Sequence, residues 1–352
     1  MLALSACTAT GTATGEDHVL APVIAGDAVY IGREDGGVYA VDRTADDVGR
    51  ELWRRDTEGG VIHSPAVDDG TVYAGATGGY LYAWDARTGD LRWRYEAGST
   101  LFFSPAVNGD TVYIGSEDGH LHAVAADSGE RRWRYALERR LLAWPPLARS
   151  KPRYYAAVHD GVVYVAGSHG RVHGVDVATG EQVHELDTGS DTPPAIRDGV
   201  LYTGGDGESI AVDLATWRIR WRTEVGHGDI RYPNPGAEAV YFGDDAGDVH
   251  AVSVRDGSVL WSFATGGAVH SVPAPYGEFV LVGSHDGNLY GLAKATGHEQ
   301  WRHVVGDGVG FDGIAATAAI SNEVAYFGVA DHGLVGVDVN SGETRWRFEP
   351  ER

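Results

Sequence analysis

Eight copies of one short pattern run through the chain, and their spacing constrains the fold more than any other feature. The cleanest copy reads Leu81-Tyr82-Ala83-Trp84-Asp85-Ala86-Arg87-Thr88-Gly89 and closes on Trp93, eight residues after Asp85. The same interval separates Asp213 from Trp221 and Asp338 from Trp346. It also separates Ala125, Ser253 and Ala293, standing in the Asp position, from Trp133, Trp261 and Trp301. Asp176 keeps the interval but ends on His184, and Asp42 reaches Trp53 after a small insertion over 44–49. A period near 40 residues belongs to a stacked or radial array of identical units.

Each unit holds four strand-like runs, in the second unit Ser64–Val67, Thr71–Gly75, Tyr80–Trp84 and Leu91–Tyr95. The links between the last three runs are short and rich in Gly and Asp, as hairpins require. A tyrosine marks the second run at Tyr30, Tyr73, Tyr113, Tyr164, Tyr202, Tyr241 and Tyr326, with Leu281 in the seventh unit. Four-stranded antiparallel units in series are blades of a β-propeller, so an all-β, eight-bladed ring over residues 18–352 is predicted. Fifty glycines and the lack of sustained helical periodicity agree with it. Within a blade, Asp or Ser at the third turn accepts backbone N–H groups and Gly supplies positive φ. The tryptophan of the outer run then fills the wedge toward the next blade, and its indole N–H needs a partner. Trp53, Trp93, Trp133, Trp221, Trp261, Trp301 and Trp346 are the expected docking residues. The fourth unit departs with Val183-His184 and the fifth with Trp217 in place of the turn glycine, so His184→Trp is expected to be neutral or stabilising.

The pattern Ala-x-Asp-x-x-Thr-Gly-x-x-x-Trp resembles the tryptophan-docking repeat of the pyrroloquinoline quinone (PQQ)-like eight-bladed propellers. Quinoprotein alcohol dehydrogenases and BamB-type outer-membrane assembly lipoproteins share that repeat. The dehydrogenase resemblance implies adjacent cysteines against the quinone and a Ca²⁺ held by Glu, Asn and Asp. This chain has a single cysteine, no assignable Glu/Asn pair and no haem motif, whereas Ca²⁺ wants six to eight oxygens. Neither PQQ nor Ca²⁺ is therefore expected as a cofactor, and no catalytic residue is assigned.

Charge narrows the setting. The net charge is −22, from 50 acidic and 28 basic residues, and only Lys151 and Lys294 are lysines. Such an acidic, lysine-poor surface resembles that of proteins from extreme halophiles, in which salt screens self-repulsion. The alternative is an acidic mesophilic secreted protein. Nucleic-acid binding over the general surface is excluded on charge. The single cysteine, Cys7, rules out an internal disulfide, and Leu4-Ser5-Ala6-Cys7 resembles the lipobox of secreted lipoproteins. Residues 1–17 are read as a truncated lipoprotein-type signal and flexible tether. Only Met1 to Ala6 precede Cys7, which a late start assignment would explain; a chance match is the alternative. No stretch is long and apolar enough to span a bilayer.

The position two residues before the first-run Pro-Ala is assigned to the channel mouth. It is occupied by Leu20, His63, Phe103, Tyr154, Thr192, Arg231, Ser271 and Ala316. The ring contains no carboxylate pair suited to acid–base work. His122, His173 and His250 stand where Tyr39, Tyr82 and Tyr290 stand in other units, which makes them packing substitutes rather than ligands. His169, His285 and His332 lie in turns beside Asp286 and Asp331, each in a different blade, and no metal site is assigned.

Two interruptions break the repeat: Ala136 to Tyr155 before the fourth blade, and His303 to Thr317 before the eighth. Both join the last run of one blade to the first of the next, so they share a face. The first is basic: residues 131–153 contain Arg131, Arg132, Arg134, Arg139, Arg140, Arg149, Lys151 and Arg153 against Glu138 alone. Apolar and aromatic residues, Trp144 among them, interleave with these charges. Arginine and aromatics concentrate binding energy at interfaces, so Arg139, Arg140, Trp144, Arg149, Lys151 and Arg153 are assigned to partner binding. The alternative is that these arginines neutralise acidic neighbours over a channel end. The chain is thus expected to be a non-catalytic, extracytoplasmic propeller anchored to the membrane through lipidated Cys7. It would bind a protein partner or small extracellular ligand through the face bearing both interruptions. The alternatives are a PQQ-dependent oxidoreductase domain or subunit, and a ring serving envelope assembly, a role closed to an archaeal host without an outer membrane.

Overall fold

In the computed structural model the described residues form 32 strands, β1 (Val23–Ala25) to β32 (Thr344–Phe348), in eight four-stranded antiparallel sheets. The structure describes residues 21–33, 36–44, 49–61, 63–101, 103–137, 156–167, 170–189, 192–226, 228–304, 317–329 and 333–348. Each sheet uses four consecutive strands, so each is one blade, and the predicted propeller is the observed fold. Among the described residues no helix is long and apolar enough to cross a membrane.

Blade 2 shows how the sequence builds the unit. It comprises β5 (Ala66–Asp68), β6 (Thr71–Gly75), β7 (Tyr80–Asp85) and β8 (Leu91–Glu96). The middle strands are buried almost throughout, while β8 alternates between exposed residues and buried Trp93 and Tyr95. The innermost strand starts at Ala66 rather than Ser64, because Pro65 has no N–H to give a ladder. Asp85 Oδ1 accepts the N–H groups of Arg87 and Thr88, both at 3.0 Å. Its Oδ2 meets Arg92 at 2.9 Å. The Arg92 hydrogen bond and then the Thr88 N–H hold the carboxyl pKa down at about 2. Asp213 is held at about 2 in the same way, by Arg220 first and Thr216 next.

Every third-to-fourth strand pairing carries a register shift just after the residue opposite the tryptophan position. The residue opposite is always Ala or Gly, as in Ala83↔Trp93 and Gly291↔Trp301. A bulge there adds twist, and the small partner makes room for the indole.

The seams follow the expected docking. The indole N–H groups of Trp53, Trp93 and Trp133 donate to the carbonyls of Ala86, Ala126 and Val177 in the next blade, at 2.9, 2.9 and 2.8 Å. Those of Trp221, Trp261 and Trp301 donate to Val254, Lys294 and Val339. The regular placing of the turn glycine now has a cause. Gly89 has φ +71°, and a Cβ there would lie 2.8 Å from the Trp53 ring. At the last seam Trp346 is only half-buried, and its ring lies against Gly49 of blade 1. Tyr39 meets Phe348 edge-on at 6.3 Å across the same junction. No strand is exchanged there, so among the described residues side-chain packing of blades 8 and 1 closes the ring.

One seam is built the other way round. Between blades 4 and 5, Trp217 occupies the glycine position at φ +53°. Its ring stacks on His184 at 4.6 Å and on Tyr164 at 5.7 Å, and its N–H donates to the Glu185 carbonyl at 3.0 Å. The indole missing at His184 is thus supplied from the opposite blade. The two departures are one compensation, and the expectation that His184→Trp is harmless is corrected: an added indole would meet Trp217.

Candidate functional site

Antiparallel order assigns the connections to two faces. Turns between first and second strands share one face with turns between third and fourth strands: Ala86 N–H bonds the Gly70 carbonyl at 2.9 Å. The blade-to-blade links share the other face with turns between second and third strands, as Val61 N–H to Arg33 O at 2.8 Å and Thr77 N–H to Gly60 O at 2.9 Å illustrate. The basic segment connects β12 (Arg131–Ala136) to β13 (Ala156–His159) and is therefore a link by topology. Arg139, Arg140, Trp144, Arg149, Lys151 and Arg153 lie outside the described residues, as do Cys7, Leu20, Tyr154 and Ala316 of the other assignments.

The described residues assigned to the channel mouth are held by their own wall. His63 and Phe103 are buried and stack at 5.6 Å across neighbouring blades. Thr192 donates to the Ile230 carbonyl at 2.9 Å, and Ser271 donates to Gly283 O at 2.9 Å while accepting its N–H at 3.0 Å. Arg231 forms a fork with both oxygens of Asp245 at 2.7 Å, and Asp245 also meets His270 Nε2 at 3.0 Å. The His270 and His285 rings are 4.4 Å apart. This Arg–Asp–His group was not visible in the repeat pattern, because His270 falls one residue before the mouth position and His285 comes from a turn.

The three histidines in tyrosine positions sit in the blade interior. His122 Nδ1 meets Tyr95 Oη at 2.9 Å, and His173 Nδ1 meets Tyr135 Oη at 3.3 Å. Burial pushes both imidazoles below their ordinary value. His250 is different. Its Nδ1 pairs with Ser262 at 2.8 Å and its Nε2 lies 3.3 Å from Oδ2 of the fully buried Asp244. Burial alone would raise the Asp244 carboxyl; His250 and the Asp248 N–H outweigh it and hold the group low. Asp244, Asp248 and His250 bring one ligand atom each within 4.8 Å of one another.

The polar groups of the described mouth already have protein partners. Asp245, the carboxylate beside Arg231 and His270, is already divided between those two partners, and Thr192 and Ser271 are committed to backbone groups.

Eight blades with tryptophan-docked seams define a PQQ-like repeat propeller. The chain belongs to the family described as Outer membrane protein assembly factor BamB, whose profile matches residues 34–226 and 205–349. No curated protein matches it by sequence. Among solved structures, BamB from Moraxella catarrhalis is similar over 90% of this chain and 92% of that one, with 24% identity and a TM-score of 0.72. The computationally designed Ika8 protein aligns over 90% and 94% at 17% identity and a TM-score of 0.73. A europium-containing methanol dehydrogenase aligns over 88% and 82% at 13% identity and a TM-score of 0.67. At these identities the structures establish the shared fold.

Proposed function

We propose that the chain is a non-catalytic, extracytoplasmic propeller that captures a protein partner on its link face. The basic segment containing Arg139, Arg140, Trp144, Arg149, Lys151 and Arg153 supplies the contact, and lipidated Cys7 supplies the anchor. The observation that carries this reading is the location of positive charge. In a chain of net charge −22, eight of 28 basic residues fall within residues 131–153, and the insertion among them is a link on one defined face. Membership of a family described as an assembly factor supports a partner-binding role over catalysis. An acidic protein offering one basic, aromatic-rich lip would recognise an acidic surface on its partner. Replacing Arg139, Arg140, Arg149 and Arg153 by Ser should weaken capture from native high-salt membranes and leave the melting temperature unchanged. Equal capture by the variant would overturn the proposal.

The methanol dehydrogenase likeness favours a second reading, a PQQ-dependent oxidoreductase domain or subunit. Dye reduction after adding PQQ and Ca²⁺ to the purified chain would support it, and a flat trace would leave the scaffold reading in place.

A further inference from the structure

We infer that blade 6 contains a site for a first-row divalent cation, formed by Asp244, Asp248 and His250. The three residues come from one hairpin. Asp244 ends β22 (Ala239–Asp244), and Asp248 and His250 begin β23 (Asp248–Ser253). The corresponding second-strand position holds Ala76 in blade 2, Ser116 in blade 3 and Ser284 in blade 7, so Asp244 is not part of the repeat.

Three observations suit a bound cation at this pair. First, the two oxygens of Asp244 have separate duties. Oδ1 accepts the Asp248 N–H at 2.7 Å, which leaves Oδ2 facing His250 Nε2 at 3.3 Å. That spacing also suits a bound ion, because bonds of about 2.0–2.1 Å to a tetrahedral centre put neighbouring ligand atoms about 3.3 Å apart. Second, Ser262 holds the other imidazole nitrogen, Nδ1, at 2.8 Å. A partner on the far nitrogen is the device that orients a metal-binding histidine. Third, only a glycine fits beside the pair. Gly226, on the link between blades 5 and 6, has no positive φ to explain a glycine. A Cβ there would lie 2.7 Å from Asp244 Oδ2 and 3.1 Å from His250 Nε2. A side chain at 226 would therefore displace both ligand atoms. Asp248 is half-buried and gives the site an opening to solvent, while Asp244 and His250 are closed off.

Two carboxylates and one imidazole suit Zn²⁺ or Co²⁺. They offer too few oxygens for Ca²⁺ and no thiolate for Cu⁺. A bound ion would tie the link-face turn of blade 6 to the strand behind it, next to Arg231 and Asp245.

The test uses the full chain, stripped with chelator and titrated in molar potassium salt so that the acidic surface is screened. Co²⁺ alone should give one saturable equivalent with a visible ligand-field band, and Zn²⁺ alone should displace it. Asp248→Asn keeps the buried pair intact and should weaken Zn²⁺ binding more than about tenfold. Ser262→Ala, which removes only the orienting partner, should cost about 10–100-fold. Gly226→Ala, with both buried ligands retained, should lose the band. Graded, unsaturable binding that is the same in wild type and Asp248→Asn would overturn the inference, as would a wild-type chain with no band at one equivalent.

Discussion

The reversed seam between blades 4 and 5 yields a prediction in which two damaging substitutions repair one another. In His184→Trp the new indole enters space already filled by Trp217, whose ring lies 4.6 Å from that of His184. Overpacking of this kind costs about 1–3 kcal/mol. In Trp217→Gly two ring contacts disappear, worth about 0.5–1.5 kcal/mol each, with a hydrogen bond worth about 1 kcal/mol. Glycine at φ +53° recovers about 1 kcal/mol of backbone strain, so the net loss is about 1–3 kcal/mol. Singly, each variant should unfold at lower urea than wild type. Together they recreate the arrangement of the neighbouring seams, tryptophan on the outer strand over glycine in the next turn. The double variant should lie within about 1 kcal/mol of wild type, a coupling of about 2–6 kcal/mol in a double-mutant cycle. Urea is the denaturant of choice because guanidinium would also screen the acidic surface. Additive losses in the double variant would refute the claim that Trp217 stands in for the missing indole.

Three further outcomes are expected. Thermal melting should fall as salt is lowered from molar to millimolar, because −22 charges repel one another without screening; an unchanged midpoint would contradict the halophilic reading. His122 and His173 have folded-state values pushed below 6.5 by burial, so the unfolded chain binds more protons near that pH and stability is complete only above it. Acid unfolding should therefore begin as pH falls through about 6.5, and His122→Tyr, which installs the residue that blades 1, 2 and 7 use, should shift that onset downward. Gly89→Ala should cost about 1–3 kcal/mol in urea unfolding, since its Cβ meets the Trp53 ring at 2.8 Å and φ is +71°. A comparable loss is expected at Gly129, where a Cβ would lie 2.7 Å from the Trp93 ring.

The blade count, the strand register and the docking tryptophans were legible because each blade repeats one solution to one packing problem. Asp85, Gly89 and Trp93 carry it within about nine residues, so the period survives local substitution. What escaped lay between units. His184 and Trp217 look like two independent departures when equal positions are aligned, yet they touch across a seam. A large residue lost in one unit and gained in the next was the available signal. Asp244 escaped for a related reason. Its neighbour Asp245 and the turn glycine make Asp244-Asp245-Ala246-Gly247 read as an ordinary hairpin, and only the three-dimensional approach of Gly226 gives the carboxylate its setting. The wall contacts of Thr192, Ser271 and Arg231 depend on adjoining strands and turns that the repeat does not encode.

Whether the link face captures a partner through its basic segment is decided by quantitative capture from native high-salt membranes. The intact chain is compared with a chain in which residues 138–155 are replaced by a short Gly-Ser link. A turn-face charge variant, Arg92→Ser, serves as control. One set of captured proteins is expected for the intact chain and the control, lost on replacement of the segment while the melting temperature holds. Capture that persists without the segment and disappears in the turn-face control would contradict the proposed role of the link face.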